Sequence, residues 1–333
     1  MKLDRYINTI IESDFDGLRL DKFLFKKFEN ANNVLIQKSL RNKDILVNEK
    51  TAKNNQTLNA GDNLLLSKFL LKILNSPPKT ISSKKELKFT DKEIEKVKNY
   101  IIYKDDYIIA INKPSGLAVQ SGTKIEKSLN DFLPFLKFEK AENPKLVHRL
   151  DKDTSGALLL ARKRESAEIL SNYFKEKTED ESSSMIDKIY LTLVVGKPSR
   201  NEDLINIPLI KKLENGVEKV YRDEKEGKKA LTRYKVIEYF EQYNVSLLEV
   251  KILTGRTHQI RVHLKEIGHP IVGDGKYGGK RAFIETLGDK LFLHSYRINI
   301  KDFYGRDTNI KADLPENFDK VLSKLKRSNK YRK

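Results

Sequence analysis

Two polar clusters interrupt the apolar pattern of the larger, C-terminal part of this 333-residue chain. The first is His148-Arg149-Leu150-Asp151-Lys152-Asp153-Thr154-Ser155-Gly156, set between Leu146-Val147 and an apolar run that begins at Ala157. Core-forming residues on both sides predict a turn that joins two core elements and is held in a fixed place. A lone Asp in such a turn ordinarily bonds nearby backbone N–H groups. Paired carboxylates, Asp151 with Asp153 or Asp274, would instead suit cleavage of a sugar bond. If Asp151 and Asp153 share one tight turn, however, they cannot flank a sugar from opposite sides.

The second cluster, Thr254-Gly255-Arg256-Thr257-His258-Gln259-Ile260-Arg261-Val262-His263-Leu264, is followed by Gly268-His269-Pro270-Ile271 and Gly273-Asp274. It reads as a loop entering a helix. His258 and His263 invite a metal reading, but their spacing puts them about 140° apart on a helix and on opposite faces of a strand. The chain has no Cys and no HExxH arrangement, so no metal site is expected. The lack of Cys also removes disulfides and thiolate nucleophiles, and it fits the cytoplasm.

The elements that must position these clusters divide into two folded units, as the length of the chain suggests. In Leu18 to Phe28 the apolar residues Leu20, Phe23, Leu24 and Phe28 recur at helical spacing, with Arg19, Lys22 and Lys26 along a different face. Val34 to Arg41 predicts a second helix capped by Asn33, and Ile45 to Asn48 a strand. Lys72 to Lys88, with Pro77-Pro78 and Ser82-Ser83, has the composition of a linker. Thr90 with Glu93 fits a capping box. Tyr107 to Ile111 then predicts a strand ending at Lys113-Pro114-Ser115-Gly116.

Beyond it, apolar runs at Leu158 to Ala161, Leu191 to Val195, Leu247 to Leu253 and Leu291 to Leu293 alternate with helical stretches such as Glu165 to Lys175, which predicts a sheet with flanking helices. Thr178 to Ser184 reads as an acidic, Ser-rich flexible insertion. Ser323 to Lys333 reads as a disordered tail, rich in Lys and Arg. The expected organisation is an α+β chain: a small α/β domain at 15–75, a linker at 76–94, a catalytic domain at 95–320 and a basic tail at 321–333.

Lys and Arg number 65 against 47 Asp and Glu, a formal charge of +18, which points to a polyanionic partner such as nucleic acid. No stretch approaches the ~20 apolar residues of a membrane span, and the start has no apolar signal-like core. No membrane association is expected, and a monomer is the default.

Arg19 to Leu24, Ile45 to Asn48 and Gly61-Asp62 together resemble the S4 RNA-binding domain, named for a ribosomal protein. Lys113-Pro114-Ser115-Gly116, the block from His148 to Gly156 and the block from Gly255 to His263, in this order and spacing, resemble the RluA family of pseudouridine synthases. The likeness continues through Tyr277-Gly278 and Leu293-His294, and with the S4-like start it is nearest the branch that acts on large-subunit ribosomal RNA.

This resemblance implies a mainly antiparallel mixed sheet in the catalytic domain. It also implies an essential Asp at Asp151, an active-site Tyr at Tyr190 and an active-site Arg at Arg261. Arg149 is implied to occupy the gap left by an extruded uridine. Arg256, with Arg19, Lys22 and Lys26, completes the expected RNA-binding set. The implied reaction breaks the bond from C1′ to N1, turns the uracil and joins its C5 to C1′, with no redox change and no cofactor. A stacked base must first be flipped out, at a cost of a few kcal/mol.

Asp151 would act ionised, as nucleophile at C1′ or as base toward the sugar, and a nearby Arg261 would favour that form. Tyr190 would stack on uracil or move a proton at C5. The rival expectation is a ribosome-assembly factor that binds RNA through the same basic face and has no need of Asp151.

Overall fold

The computed structural model describes residues 3–76, 87–121, 125–175, 183–214 and 217–330. The chain forms two units, Met1–Lys88 and Phe89–Lys333.

The first unit runs β1 (Tyr6–Ile10), α1 (Leu20–Lys27), α2 (Asn33–Arg41), β2 (Ile45–Val47), β3 (Lys50–Thr51), β4 (Asn63–Ser67) and α3 (Lys68–Leu74). Its strands pair antiparallel in the order β1-β4-β2-β3. The apolar stripe read in α1 is the face it buries: Leu20, Phe23 and Leu24 pack with Ile36 and Leu40 of α2 on Ile45, Val47, Leu64 and Leu66. Arg19, Lys22 and Lys26 are left on the surface, as a helix with one apolar stripe requires. The cap of α2 is Asn32 rather than Asn33: the Asn32 side-chain oxygen accepts the Leu35 N–H at 2.9 Å, which places Asn33 in the first turn.

The second unit begins at Phe89, where the linker composition ends and ahead of the expected boundary at 95. Phe89 and Val97 pack into its core, so α4 (Asp91–Lys98) belongs to it. Thr90 starts α4 with the expected capping box: its hydroxyl accepts the Glu93 N–H while Glu93 accepts the Thr90 N–H. Of the linker, 77–86 lies outside the described residues.

There follow β5 (Ile101–Lys104), β6 (Ile108–Lys113), α5 (Leu129–Phe132), β7 (Lys145–Leu146), β8 (Ser155–Ala161), α6 (Arg164–Lys175) and β9 (Ile186–Val195). Then come β10 (Glu202–Asn206), β11 (Leu209–Glu214), β12 (Val217–Arg222), β13 (Leu231–Phe240), β14 (Val245–Ile252), α7 (Gln259–Glu266), β15 (Leu293–Ile300), β16 (Thr308–Lys311) and α8 (Glu316–Lys330). Among the described residues the central sheet runs β10-β13-β14-β9-β15-β8-β6-β5, with β16 on β15 and β7 on β8. Every pairing is antiparallel except that of β15 with β8. Strand β8 is buried along its whole length, which explains its unbroken apolar run.

The parallel pair sets the geometry beneath Asp151. Gly156 pairs with Ser295, and a Cβ at Gly156 would lie 2.2 Å from the Ser295 carbonyl oxygen. Only glycine lets β15 pass this close to the end of the turn.

Two sequence expectations need correction. The last apolar run leads into β15, which begins at its final residue, Leu293, and continues to Ile300. The basic tail is not disordered through 330: it is the C-terminal part of α8, whose Phe318, Leu322 and Leu325 recur at helical spacing and are buried against Phe240, Val272 and Phe292. Residues 331–333 and most of the acidic insertion, 176–182, lie outside the described residues.

Candidate active site

The turn that carries Asp151 connects β7 to β8 and is held from both sides. On its upstream side His148 stacks on Phe174, with centroids 4.1 Å apart, and its Nε2 accepts the Leu159 N–H at 2.8 Å. Burial, with a contribution from Lys188, pushes this imidazole down to about 3, so it is neutral and structural. On the downstream side Lys113, at 0% exposure, donates to the carbonyls of Pro114, Leu117 and Lys152 at 3.0, 2.9 and 3.0 Å. Burial lowers this ammonium to about 8, against the opposing charges of Asp153 and Asp151. The Ser115 hydroxyl donates to the Asp153 carbonyl at 2.8 Å, and the Gly116 N–H to the Lys152 carbonyl at 2.9 Å. The Lys-Pro-Ser-Gly segment therefore acts as a clasp on the Asp151 turn.

The second motif is held from within. Gln259 is 3% exposed; its side-chain oxygen accepts the Thr254 hydroxyl at 2.7 Å and the Arg256 N–H at 3.0 Å, and its amide donates to Leu231 and Thr232 at 2.9 and 3.0 Å. All this buried hydrogen-bonding capacity is used. Loop 254–258 is thus fixed to β13, and α7 starts with Arg261 facing the Asp151 turn.

These elements bring Asp151, Tyr190, Arg261, Arg149 and Arg256 to one pocket of about 130 Å³. Leu150, Ile252, Ile260 and Leu293 supply its apolar lining, and Thr154 and His258 add polar groups. Arg261 Nη1 lies 3.9 Å from Asp151 Oδ2, close enough for charge to act and too long for a hydrogen bond. The guanidinium makes its hydrogen bonds to Asp274, Nε to Oδ2 at 2.8 Å and Nη2 to Oδ1 at 2.7 Å. Burial works against its charge, but Asp274, with Asp151 behind it, holds Arg261 above its ordinary range. Asp274 also accepts the N–H groups of Lys276 and Tyr277, both at 3.2 Å. Its carboxylate is therefore committed and cannot serve as the second group of a sugar-cleaving pair.

Tyr190 lies on β9, paired with Ser295 on one side and Val250 on the other. Its side chain is buried, and burial first, then the charge of Asp151, raises its phenol well above the usual range. It remains a proton donor at neutral pH. Arg149 is exposed beside the pocket, and Arg256 is half-buried with its Nε donating to the Lys229 carbonyl at 3.2 Å. The expected RNA-binding residues Arg19, Lys22 and Lys26 lie in the other unit. There Arg19 pairs with Asp21 at 2.6 Å, Lys26 lies over the Phe15 ring at 5.2 Å, and Lys22 is exposed.

The two histidines weighed as metal ligands part company. His263 is buried between the Thr232 hydroxyl at 2.9 Å and the Ile207 carbonyl at 3.0 Å, and burial takes it down to about 4. His258 turns into the pocket, with Nε2 3.7 Å from Asp151 Oδ2 and Nδ1 2.6 Å from the Tyr277 hydroxyl. Residue spacing alone does not assign pocket roles to Asp274, Tyr277, His258 and Gln259. The one signal for them is the density of polar residues between two buried elements.

A carboxylate held beside a guanidinium, over an apolar pocket that keeps a phenol protonated, defines a class of protein. The RNA pseudouridylate synthase family matches over residues 107–266, the stretch that carries every pocket residue from Arg149 to Arg261. The chain belongs to this family, enzymes that isomerise uridine to pseudouridine. It is 38% identical over 323 residues to the ribosomal large subunit pseudouridine synthase C of Rickettsia conorii, covering 95% of this chain and 99% of that one. It is 35% identical over 326 residues to the protein of the same name from Vibrio parahaemolyticus, covering 96% of each. Among solved structures, human RNA pseudouridylate synthase domain containing 4 aligns with a TM-score of 0.57 at 25% identity, over 70% of this chain and 95% of that one.

Proposed function

We propose that this protein converts specific uridines of large-subunit ribosomal RNA to pseudouridine, with Asp151 as its essential carboxylate. One observation carries the reading: Asp151 and Arg261 face each other at 3.9 Å across a pocket with Tyr190 in its wall. Asp151 is anchored through its backbone, and neither Arg261 nor His258 hydrogen-bonds its carboxylate. It is free to approach C1′ as a nucleophile or to take a proton from the sugar. Arg261 supplies positive charge without taking up the carboxylate, because Asp274 holds its other edge. Tyr190 stacks on the uracil, and its protonated hydroxyl is placed for proton transfer at C5.

Arg149 enters the gap that the flipped uridine leaves, and Arg256 binds backbone phosphate nearby. The first unit is S4-like and adds RNA affinity through Lys22, Lys26 and Arg19. The rearrangement changes no redox state and needs no cofactor. The protein acts as a monomer in the cytoplasm. The relatives named for large-subunit synthase C support this choice of RNA.

The test is to incubate the protein with uridine-labelled transcripts of large-subunit, small-subunit and transfer RNA. Pseudouridine at discrete positions of the large-subunit transcript is the expected product. Free uracil would mark a hydrolase, and tight binding with neither product a ribosome-assembly factor.

A further inference from the structure

His258 precedes α7 in the left-handed region, at φ 52°, a conformation that non-glycine residues seldom adopt. No side-chain cap hydrogen bond accounts for it. The conformation instead sends the imidazole into the pocket that Asp151 and Arg261 line. There it meets the Tyr277 hydroxyl. The Tyr277 hydroxyl oxygen accepts the N–H of Val220 in β12 at 3.1 Å, and the same hydroxyl lies 2.6 Å from His258 Nδ1. If the hydroxyl, already accepting from Val220, gives its proton to Nδ1, the ring carries its own proton on Nε2. Nε2 faces Asp151 Oδ2 at 3.7 Å.

We propose that Tyr277 and His258 are positioning residues for Asp151: Tyr277, held by the β11–β12 ribbon, keeps the His258 ring neutral with its Nε2 edge toward the carboxylate, a polar neighbour at 3.7 Å that neither hydrogen-bonds nor ion-pairs Asp151 and so leaves it to the flipped uridine. This inference rests on Asp151 being the essential group. The groups facing the imidazole are the carboxylates of Asp151 and Asp274, the cations of Arg261 and Lys276, and the Tyr277 hydroxyl. Burial lowers His258 and Asp151 opposes it. A hydroxyl donating to Nδ1 favours the neutral ring, so removing it lets His258 protonate at higher pH. An imidazolium would then form a full ion pair with Asp151 and draw the carboxylate from its work.

The experiment is the pH profile of single-turnover pseudouridine formation with large-subunit transcripts. Tyr277→Phe should lower the neutral-pH rate about tenfold, leave RNA affinity within about twofold, and move the acid limb up by about one pH unit. His258→Gln keeps an N–H near the Nε2 position but cannot titrate. It should be faster than His258→Leu, and adding Tyr277→Phe to it should leave its acid limb in place. The proposal is overturned if wild type and Tyr277→Phe share one acid limb, or if His258→Gln and His258→Leu are equally slow. Thermal unfolding is measured for each variant. Should Tyr277→Phe fail to fold, the comparison of the two His258 variants decides. Asp151→Asn serves as control: turnover by that variant defeats the assignment of Asp151 itself, whereas an inactive Asp151→Asn together with a wild-type acid limb for Tyr277→Phe defeats only the positioning role.

Discussion

The two carboxylates on either side of Arg261 have opposite surroundings. Asp274 is 1% exposed and takes both edges of a guanidinium–carboxylate pair plus two backbone N–H groups. Asp151, with its side chain 20% exposed, stands 3.9 Å from Arg261 and 3.7 Å from His258 without a hydrogen bond to either. A buried ion pair costs desolvation that only close geometry and further hydrogen bonds offset, so Asp274 is saturated. Asp151 is left unsaturated, with its oxygens available and its turn anchored from both sides. With Asp151 as the proposed reacting group, the site separates the carboxylate that holds the guanidinium in place from the one that acts, a division suited to preorganised catalysis.

Breaking either side of this contrast should have a distinct signature. The largest effect falls on Asp151→Asn, which should reduce single-turnover pseudouridine formation by at least ~10³-fold while fluorescence anisotropy shows RNA affinity within about threefold of wild type. Asp274→Ala should act on both folding and chemistry. It strands a buried guanidinium, lowering stability by about 3–5 kcal/mol in urea unfolding, and lets Arg261 swing onto Asp151. Asp274→Asn, with one acceptor left, should lose less.

Arg149→Ala sharpens the contrast from the exposed side. If Arg149 offsets the few kcal/mol of base flipping, turnover should fall by roughly 10–100-fold on a stem-loop target and much less on a single-stranded one. The smallest effect belongs to Lys22→Ala and Lys26→Ala. Each should weaken binding uniformly and reduce the slope of log affinity against log salt by about one, with no change in the rate of bound RNA.

Asp151 and Arg261 are legible through the family motifs they belong to, while the polar runs that carry them, flanked by apolar core residues, give only the turn and the loop entering a helix. Tyr190 is legible through its motif, and its strand through the apolar run Leu191 to Val195 that follows it, which is the second half of β9. The Asp274 partnership is not, because it arises where a loop crosses back over α7 thirteen residues after Arg261, and a hydrogen bond across such a loop leaves no period. The same holds for Tyr277, whose role depends on β12, 57 residues upstream of it. At the C-terminus charge obscures structure: the Lys and Arg of α8 dominate its composition, while Phe318, Leu322 and Leu325 give the helical spacing that buries it. For the linker, Pro and Ser mark its middle and carry no information on its ends, which are set by burial of Leu74 on one side and Phe89 on the other.

The central claim is spatial: a flipped uridine must bring its C1′ to Asp151 and not to Asp274. A crystal structure of Asp151→Asn bound to a short large-subunit RNA stem-loop containing the target tests this directly. The account predicts the uridine out of its stack, C1′ about 3–3.5 Å from the residue 151 side chain and the base against Tyr190, with Asp274 still bonded to Arg261. A target base that stays stacked, or a C1′ lodged away from residue 151, would contradict it.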